Sequence, residues 1–394
     1  MKVTWIISLG LLLGAVSETQ AQEKDPDPVA VVEVQRYQDY ENLESITSTE
    51  LSPDGKFVYA ASFNADTATV WRRDAKTGKV EHVQTFKDPE TDGLLALRMS
   101  PNGKYLAGAS IKNMVTLYSR DETTGKLALL HAIRASENGA GPFHFPIEVR
   151  FSNDSRFVYA ACSGTLEVFR IEDDRLVGVQ SETANDRVSG LRDVDVSPDG
   201  TFLYTTGGHT LVVFTRDTET GTVTPTSDMV SSTDDLAALE GVNSICCSPD
   251  NRHVYLCSGR FVDHSAVIAL ERKSNGSLEV IQTWMNPMSG GLFSADVNVQ
   301  TIPSEVFSGG NEIEVSPDGA EVWALGTESD TVVRFRRDPE TGLLKFLGHH
   351  LVAGQEPAIG PAGICFSKDG RFAYVADEKE ASLVVLERKL SGEE

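Results

Sequence analysis

Three residues in the middle of this 394-residue sequence have the chemistry of a reactive site. They are His144, Glu148 and Arg192, which fall in loops and at the starts of predicted strands. Attack on a carbonyl group needs a general base, together with a cationic or hydrogen-bonding partner for the oxyanion that develops. We therefore take these three residues as the candidate catalytic group. The alternative is that they are separate polar residues of solvated loops.

A second set of charged residues recurs two and four positions before a serine that opens a tight turn. Its members are Glu50, Arg98, Glu148, Arg150, Asp193, Asp195, Glu312 and Glu314. Alternation along a strand places both positions on one face, and carboxylates that line a narrow channel must pair, bind a cation or take up a proton. Asp193 and Glu312 are the candidate ligands of a Ca²⁺ or Mg²⁺ ion, because hard cations select oxygen. The alternative is ion pairing with arginines of neighbouring repeats, and no motif in the sequence requires a cofactor.

Further polar and aromatic residues fall in loops on the same predicted face as the candidate catalytic group. We assign a ligand-binding face to His209, His264, Arg187, Arg260 and Trp284. Loops on a rigid scaffold commonly carry binding residues, so this face is where a ligand is expected.

The elements that position these residues are defined by a phrase that recurs seven times. It reads Ser-Pro-Asp-Gly or a close variant, and its serines are residues 52, 100, 152, 197, 248, 316 and 367. A second phrase, Arg-Asp-x-x-Thr-Gly, follows later in most repeats. Strand-like runs flank both phrases, and Asp-Gly supplies the positive φ angles of a tight hairpin. Two hairpins per repeat make one four-stranded blade, so the sequence predicts an all-β, seven-bladed propeller.

The two ends and one long step complete this prediction. The last repeat lacks a fourth strand, and residues 28–34 offer one that would complete the last blade and close the ring. We expect residues 22–394 to form a single propeller domain. The long step between the fifth and sixth repeats predicts an insertion at about residues 282–310. Its apolar residues favour a lid or partner surface on the ligand face, with an inert packed plug as the alternative.

Composition and the first residues predict where the protein works. Residues 1–21 contain Lys2, an apolar core and a small residue at the end, which is typical of a cleaved signal peptide. We therefore expect a secreted or periplasmic protein without a membrane span, and a monomer. The net charge of −23 disfavours nucleic acid as a partner. The five cysteines are predicted to be buried thiols, with one disulfide among Cys246, Cys247 and Cys257 as the alternative.

Taken together, the two phrases resemble those of a known family. Ser-Pro-Asp-Gly-x-x-Val-Tyr-x-Ala followed by Val-x-Arg-Asp-x-x-Thr-Gly-x-Leu is similar to the repeat of the lactonase-type (YVTN-repeat) seven-bladed propellers, which include 6-phosphogluconolactonase. The resemblance covers about residues 28–390. It implies the propeller fold and a lactone or carbohydrate ligand at a His/Arg/Glu site at the channel mouth. The sequence lacks the family's Asp-Leu-Gly phrase, which favours a secreted platform that binds a small ligand or a protein through its loop face. The alternative is a hydrolase that opens a lactone.

Overall fold

The computed structural model describes residues 31–183, 190–207, 210–231, 241–259, 265–286, 298–352 and 360–389. Within these ranges the chain forms seven antiparallel sheets of four strands each, one of which gains a fifth strand. The predicted all-β, seven-bladed propeller is therefore confirmed. In the described part of the chain, no helix is long and apolar enough to cross a membrane.

The strands follow one another blade by blade. β1 (Val31–Gln38) precedes blade one, which contains β2 (Ile46–Leu51), β3 (Phe57–Ser62), β4 (Thr67–Arg73) and β5 (Val80–Phe86). Blade two contains β6 (Leu94–Met99), β7 (Tyr105–Ser110), β8 (Met114–Arg120) and β9 (Leu127–Arg134), after a short 3-10 helix (Pro89–Thr91). Blade three contains β10 (Pro146–Phe151), β11 (Phe157–Cys162), β12 (Thr165–Glu172) and β13 (Arg175–Glu182). Blade four contains β14 (Leu191–Val196), β15 (Phe202–Gly207), β16 (Thr210–Arg216) and β17 (Val223–Ser231).

The remaining three blades follow the same order. Blade five contains β18 (Val242–Cys247), β19 (His253–Ser258), β20 (Ala266–Arg272), β21 (Leu278–Met285) and β22 (Asn298–Thr301). Blade six contains β23 (Gly310–Val315), β24 (Glu321–Gly326), β25 (Thr331–Arg337) and β26 (Leu344–Leu351). Blade seven contains β27 (Pro361–Phe366), β28 (Phe372–Asp377) and β29 (Ser382–Arg388). The apolar core lies between adjacent blades, because each buried cluster combines residues from neighbouring sheets.

The N-terminal strand closes the ring. β1 pairs antiparallel with β29, from Val31 opposite Arg388 to Gln38 opposite Ser382, and so becomes the fourth strand of blade seven. The described strand extends to Gln38, beyond the predicted end at residue 34. Arg36 of this strand donates to the buried Asp377 carboxylate at 2.7 Å. Closure by the N-terminal strand is thus confirmed.

The two repeated phrases form a contact between adjacent blades that we call the blade latch. Arg120 of blade two donates from Nε to the Tyr59 hydroxyl of blade one at 2.9 Å, and from Nη2 to Asp54 of the first turn phrase at 2.7 Å. The Tyr59 hydroxyl in turn donates to the carbonyl of Gly125 in the second phrase. Four other seams contain the same arginine–tyrosine pair: Arg73–Tyr374, Arg216–Tyr159, Arg272–Tyr204 and Arg337–Tyr255. The phrases therefore recur because they join blades as well as turn the chain.

The latch between blades five and six contains an ionisable side chain where most others have phenylalanine. His253 is buried, and its Nδ1 lies 2.8 Å from Arg337 Nη2. Burial lowers the pKa of His253, and the charge of Arg337 lowers it further, with Arg252 acting in the same direction and Asp250 and Glu271 opposing it. A folded protein in which this imidazole resists protonation must lose stability when the pH falls below the ordinary histidine value.

We expect His253→Phe to make the protein less sensitive to acid. The unfolded chain protonates this histidine as the pH falls through about 6.5, whereas the folded chain does not, so stability contributed by the neutral form is lost towards pH 5. Melting temperatures at pH 5 and pH 7.5 measure the effect, and the difference between them should shrink in the variant. His82→Phe, a change at an exposed histidine of β5, is the matched control. An unchanged difference in His253→Phe would contradict the argument.

The described part of the insertion packs against the blades. β22 pairs in parallel with β21 and adds a fifth strand at the outer edge of blade five. Ile302 and Phe307 are buried in the cluster between blades five and six. This corresponds to the packed alternative for residues 298–310, while residues 287–297 lie outside the described residues.

All five cysteines are free thiols, and four of them are buried. The disulfide considered among Cys246, Cys247 and Cys257 is not formed. Burial raises the pKa of the Cys257 thiol well above its usual value, as expected for a thiol that packs as a small apolar group. Residues 1–21, which contain the predicted signal peptide, lie outside the described residues.

Candidate functional site

A β-bulge interrupts the innermost strand of every blade at the same place. In blade one the register shifts between Ile46 and Ser48, and equivalent shifts occur in the other six blades. The register skips the residue five positions before the turn serine, and in blade six it skips Glu312 as well as Asn311. A bulge leaves such a residue unpaired and re-aims its side chain. The seven bulges therefore bring an extra ring of side chains to the mouth of the central channel.

This mouth contains a pocket of about 270 Å³ that is open to solvent. The skipped residue of each blade lines it: Thr47, Leu95, Ile147, Arg192, Asn243, Asn311 and Ala362. The next residue of six blades also lines it: Ser48, Ala96, Glu148, Asp193, Ser244 and Glu312. Phe63, Arg98 and Glu378 complete the described lining. The volume is just below the range typical of drug-sized ligands, which suits a single small molecule.

The pocket contains four of the residues assigned to the site from sequence. Glu148, Arg192, Asp193 and Glu312 come from blades three, four and six and line the same cavity. The guanidinium of Arg192 is exposed and has no ion-pair partner among the described residues. It is therefore available to a ligand in the pocket.

The described pocket lining contains none of the other predicted site residues. His144 is exposed and is not among the described residues that line the pocket. Trp284 packs between blades five and six against Phe335 and Phe346, and its Nε1 donates to the Leu344 carbonyl at 3.3 Å. The remaining ligand-face residues lie outside the described residues: Arg187, His209, Arg260 and His264.

An arginine bridge crosses the channel at the pocket. Arg98 of blade two places Nη2 at 2.7 Å from Glu148 Oε2 and at 3.3 Å from Glu312 Oε1. The exposed fractions of the three side chains are only 7%, 10% and 14%. Burial lowers the pKa of Arg98, but the two carboxylates raise it by more, so the guanidinium remains charged. One nitrogen of Arg98 therefore contacts two acids that come from different blades.

The environment separates the protonation behaviour of these acids. Burial raises the pKa of Glu312 to about 8; Arg98 opposes this, while the nearby carboxylates, Glu148 first among them, reinforce it. Burial also raises the pKa of Asp193, again with a contribution from Glu148. At neutral pH, Glu312 is therefore mostly a neutral carboxyl that can donate a proton, next to the ion-paired Glu148. A carboxyl group in a cavity whose pKa is raised towards neutral pH is typical of acid–base sites.

The channel acids also join one blade to the next. Asp193 Oδ2 accepts hydrogen bonds from the Ile245 N–H and the Ser244 hydroxyl of blade five, both at 2.9 Å. Glu312 Oε2 accepts from the Ile364 N–H of blade seven at 3.2 Å. These contacts satisfy N–H groups on the channel-facing edges of the innermost strands, which would otherwise be unpaired.

The candidate ligands of the predicted cation site already have other partners. Asp193 and Glu312, its candidate ligands, already accept hydrogen bonds from backbone N–H groups, and Glu312 is also held by Arg98. Among the described residues, no three His, Cys, Asp or Glu side chains are grouped so that they could hold a metal ion. The observed contacts follow the alternative arrangement, in which the acids pair across the blades.

Sequence reasoning missed the polar residues at the bulge. The Thr47 hydroxyl donates to the Leu95 carbonyl at 2.6 Å, and Asn243 and Asn311 each donate to a carbonyl of the next blade at 2.9 Å. Strict alternation would turn these residues away from the channel. The available signal was the polar residue five positions before the serine in four of the seven repeats, Arg192 among them.

The sequence of this propeller matches a known protein family over almost its whole length. The family described as "Lactonase, 7-bladed beta-propeller" matches residues 16–141, 48–238, 143–290 and 246–393, which together span almost the whole chain. The chain belongs to this family. The lactonase-family resemblance carried by the two repeated phrases is thereby confirmed.

Solved structures of several proteins share the fold of this chain. The periplasmic gluconolactonase PpgL of Pseudomonas aeruginosa is 18% identical, with 79% of this chain and 88% of that chain covered and a TM-score of 0.61. A putative 6-phosphogluconolactonase of Bacteroides uniformis is 19% identical, with 77% and 85% covered and a TM-score of 0.58. Hydrazine synthase of Kuenenia stuttgartiensis is 18% identical, with 89% and 97% covered and a TM-score of 0.62. At these identities the likeness extends to the fold alone. A search of curated proteins finds no significant match.

The raised pKa of Glu312 leads to a prediction for this lactonase-family propeller. The unfolded chain loses this proton near pH 4.5, whereas the folded chain keeps it to about pH 8. The stability that the protonated form contributes is therefore lost as the pH rises from about 5 to 8. We expect Glu312→Gln to flatten the decline in unfolding free energy over this range, measured by urea titration at several pH values. Equal slopes in the two proteins would contradict the assignment.

Proposed function

We propose that this protein is a hydrolase that opens a neutral sugar lactone bound in the axial pocket. The observation that carries the proposal is the set of groups lining one cavity: the ion-paired Glu148, the largely protonated Glu312 and the exposed guanidinium of Arg192. Hydrolysis of a cyclic ester needs a base, an acid and a stabiliser of negative charge. The membership of the lactonase family supports the same reaction class.

In the proposed mechanism, each residue acts at a defined bond. Glu148 takes a proton from a water molecule while the water oxygen bonds to the lactone carbonyl carbon. Arg192 donates to the carbonyl oxygen, which becomes an oxyanion. When the carbonyl re-forms, the bond to the ring oxygen breaks, and Glu312 gives that oxygen its proton. The product is a hydroxy acid, and transfer of a proton from Glu148 to Glu312 restores the site.

Charge in the pocket favours a neutral substrate. Among the described lining residues, Arg98 is already paired with Glu148 and lies against Glu312, and Arg192 is assigned to the carbonyl oxygen, so no cation is left to bind a phosphate beside Glu148 and Glu378. A substrate phosphate would add about two negative charges to this surface. The predicted export would likewise separate the protein from cytosolic sugar phosphates.

We expect kcat/KM for δ-gluconolactone to exceed that for its 6-phosphate by at least about tenfold at low ionic strength. The reason is that the described lining leaves no cation for the phosphate, which would lie near the carboxylate of Glu148, so added salt should narrow the difference between the two substrates. Initial rates in a pH-stat, corrected for uncatalysed hydrolysis, measure both substrates. Preference for the phosphorylated lactone would show that the charge argument is incorrect.

The experiment that tests the proposed function is lactone hydrolysis by the purified protein across sugar, aliphatic and aromatic lactones. We expect turnover of sugar lactones that chelator does not reduce, because the channel acids are held by Arg98 and by backbone N–H groups. Calorimetric titration with gluconate, carried out in parallel, measures binding independently of turnover. Binding without any turnover would overturn the hydrolase and leave the ligand-binding platform that the sequence also predicts.

A further inference from the structure

The loop of residues 141–146 displays an aromatic ring to solvent beside the axial pocket. Phe145 is 52% exposed, one of few large apolar side chains so placed in the described part of the chain. Two residues earlier, Phe143 is completely buried and makes an edge contact with Phe169. The loop thus buries one phenylalanine as an anchor and presents the next outward.

The backbone of Phe145 is held in an unfavourable conformation. Its φ angle is +46°, in the left-handed region that bulky residues rarely adopt. The Asn113 side chain accepts the Phe145 N–H at 2.8 Å, and the Ser163 N–H donates to the His144 carbonyl at 2.9 Å. Strain of this kind persists only where surrounding contacts enforce it, and it is concentrated at sites that hold ligands.

A buried acid fixes the start of the same loop. Glu167 is fully buried, and it accepts hydrogen bonds from the Gly141 N–H at 3.0 Å and from the Ser181 hydroxyl at 2.6 Å. A Cβ atom at Gly141 would lie 2.1 Å from the Ser181 hydroxyl oxygen, so the backbone must approach this closely. The exposed position of Phe145 is therefore built into the loop and is not a consequence of loose packing.

The loop leads directly into the pocket. Ile147, two residues after Phe145, lines the cavity as the skipped residue of blade three. Consecutive Cα atoms are 3.8 Å apart, which places the Phe145 backbone within about 8 Å of the lining. A ligand that fills the pocket with one ring and extends out of its mouth would come close to the loop that carries Phe145.

We propose that Phe145 forms an outer subsite that stacks against a second sugar ring attached to the lactone in the pocket. This inference rests on the proposed function and extends it to disaccharide lactones. The C–H groups on the apolar face of a sugar ring contact the electron-rich face of an aromatic ring, and a rigid phenylalanine loses little entropy on binding. The cost of the strained backbone is explained by this use.

The test compares Phe145→Ala with the unmodified protein on δ-gluconolactone and cellobionolactone. We expect the ratio of the KM for cellobionolactone to the KM for gluconolactone to rise about tenfold in the variant. Leu343→Ala, which removes another exposed apolar side chain from a turn of the opposite face, is the matched control. Phe145→Gly should show the same loss together with a higher melting temperature, because glycine adopts positive φ without strain.

The outcomes separate this inference from the proposed function. Hydrolysis of both lactones with an unchanged KM ratio in Phe145→Ala would overturn the outer subsite and leave the hydrolase intact. If no lactone is hydrolysed, the outer subsite is tested by calorimetric titration with cellobionate and gluconate. A tenfold weaker affinity of Phe145→Ala for cellobionate alone would support the subsite. Equal affinities of variant and unmodified protein, or no binding of either acid, would overturn it.

Discussion

Replacing Glu148 by glutamine is expected to lower kcat for sugar-lactone hydrolysis by about a hundredfold or more. Glutamine keeps the size of the side chain but cannot take the proton from water, and general-base catalysis contributes about this much. The substitution also removes the 2.7 Å ion pair with Arg98, so the melting temperature must be measured with the rate. A loss of rate in a protein that remains folded supports the assignment.

Arg192→Ala gives an independent check without the risk to folding. Arg192 is exposed and has no ion-pair partner among the described residues, so its removal should leave the melting temperature unchanged. We expect kcat to fall by about a hundredfold, as when one stabiliser of an oxyanion is removed.

His144→Ala separates this assignment from the one first drawn from sequence. Because His144 lies outside the described pocket lining, we expect its rate to stay within about threefold of the unmodified protein. A large loss in His144→Ala with normal rates in Glu148→Gln and Arg192→Ala would refute the site proposed above.

Deleting residues 22–38, and with them β1, is expected to abolish cooperative folding of the propeller. The deletion exposes the full edge of β29 and leaves the buried Asp377 carboxylate without Arg36. An unpaired buried charge alone costs about 3–5 kcal/mol, a large part of the 5–15 kcal/mol that usually separates folded from unfolded protein. An open edge also promotes association between molecules.

The measurement is thermal unfolding of the truncated protein, with and without a synthetic peptide of residues 28–40. We expect no sharp transition without the peptide and a restored one in its presence, because the peptide supplies the missing strand. Arg36→Ala, which keeps the strand but removes its ion pair, should show a smaller loss. An unchanged transition in the truncated protein would show that β1 does not hold the ring together.

The fold was predictable from sequence because its determinants are local and repeated. Turn phrases such as the one at Ser52 define the hairpins, and the number of phrases equals the number of blades. Only the missing fourth strand of blade seven required a long-range argument. Residues 28–34 were assigned as this strand because a closed ring leaves no unpaired sheet edge, and no motif indicated them.

The site was predictable only in part, for two physical reasons. Alternation identified Glu148, Asp193 and Glu312, but it assumed regular strands and so missed the bulges that add Asn243 and Asn311. Contacts across the channel have no local signal either. The partners Arg98 and Glu312 are 214 residues apart in sequence and meet only because the ring closes.

The position of His144 relative to the pocket depends on a backbone angle that the sequence does not reveal. His144 precedes the strand that carries Glu148 by only a few residues, and between them the φ angle of Phe145 is positive. The direction of a loop depends on such single backbone angles, which residue types do not reveal for a non-glycine residue.

The pairing of β1 with β29 also determines the order of events as the chain is made. Arg36 and Ser382, which hydrogen-bond in the closed ring, are 346 residues apart, so β1 is synthesised long before the strand with which it pairs. At ordinary rates of translation this interval lasts roughly 20 to 70 seconds. During that time blades one to six can form from neighbouring segments, but blade seven cannot. A nascent chain therefore stays topologically open until residues 382–388 can pair, and a ribosome stalled before residue 382 would carry a propeller whose closing strand β1 has no partner.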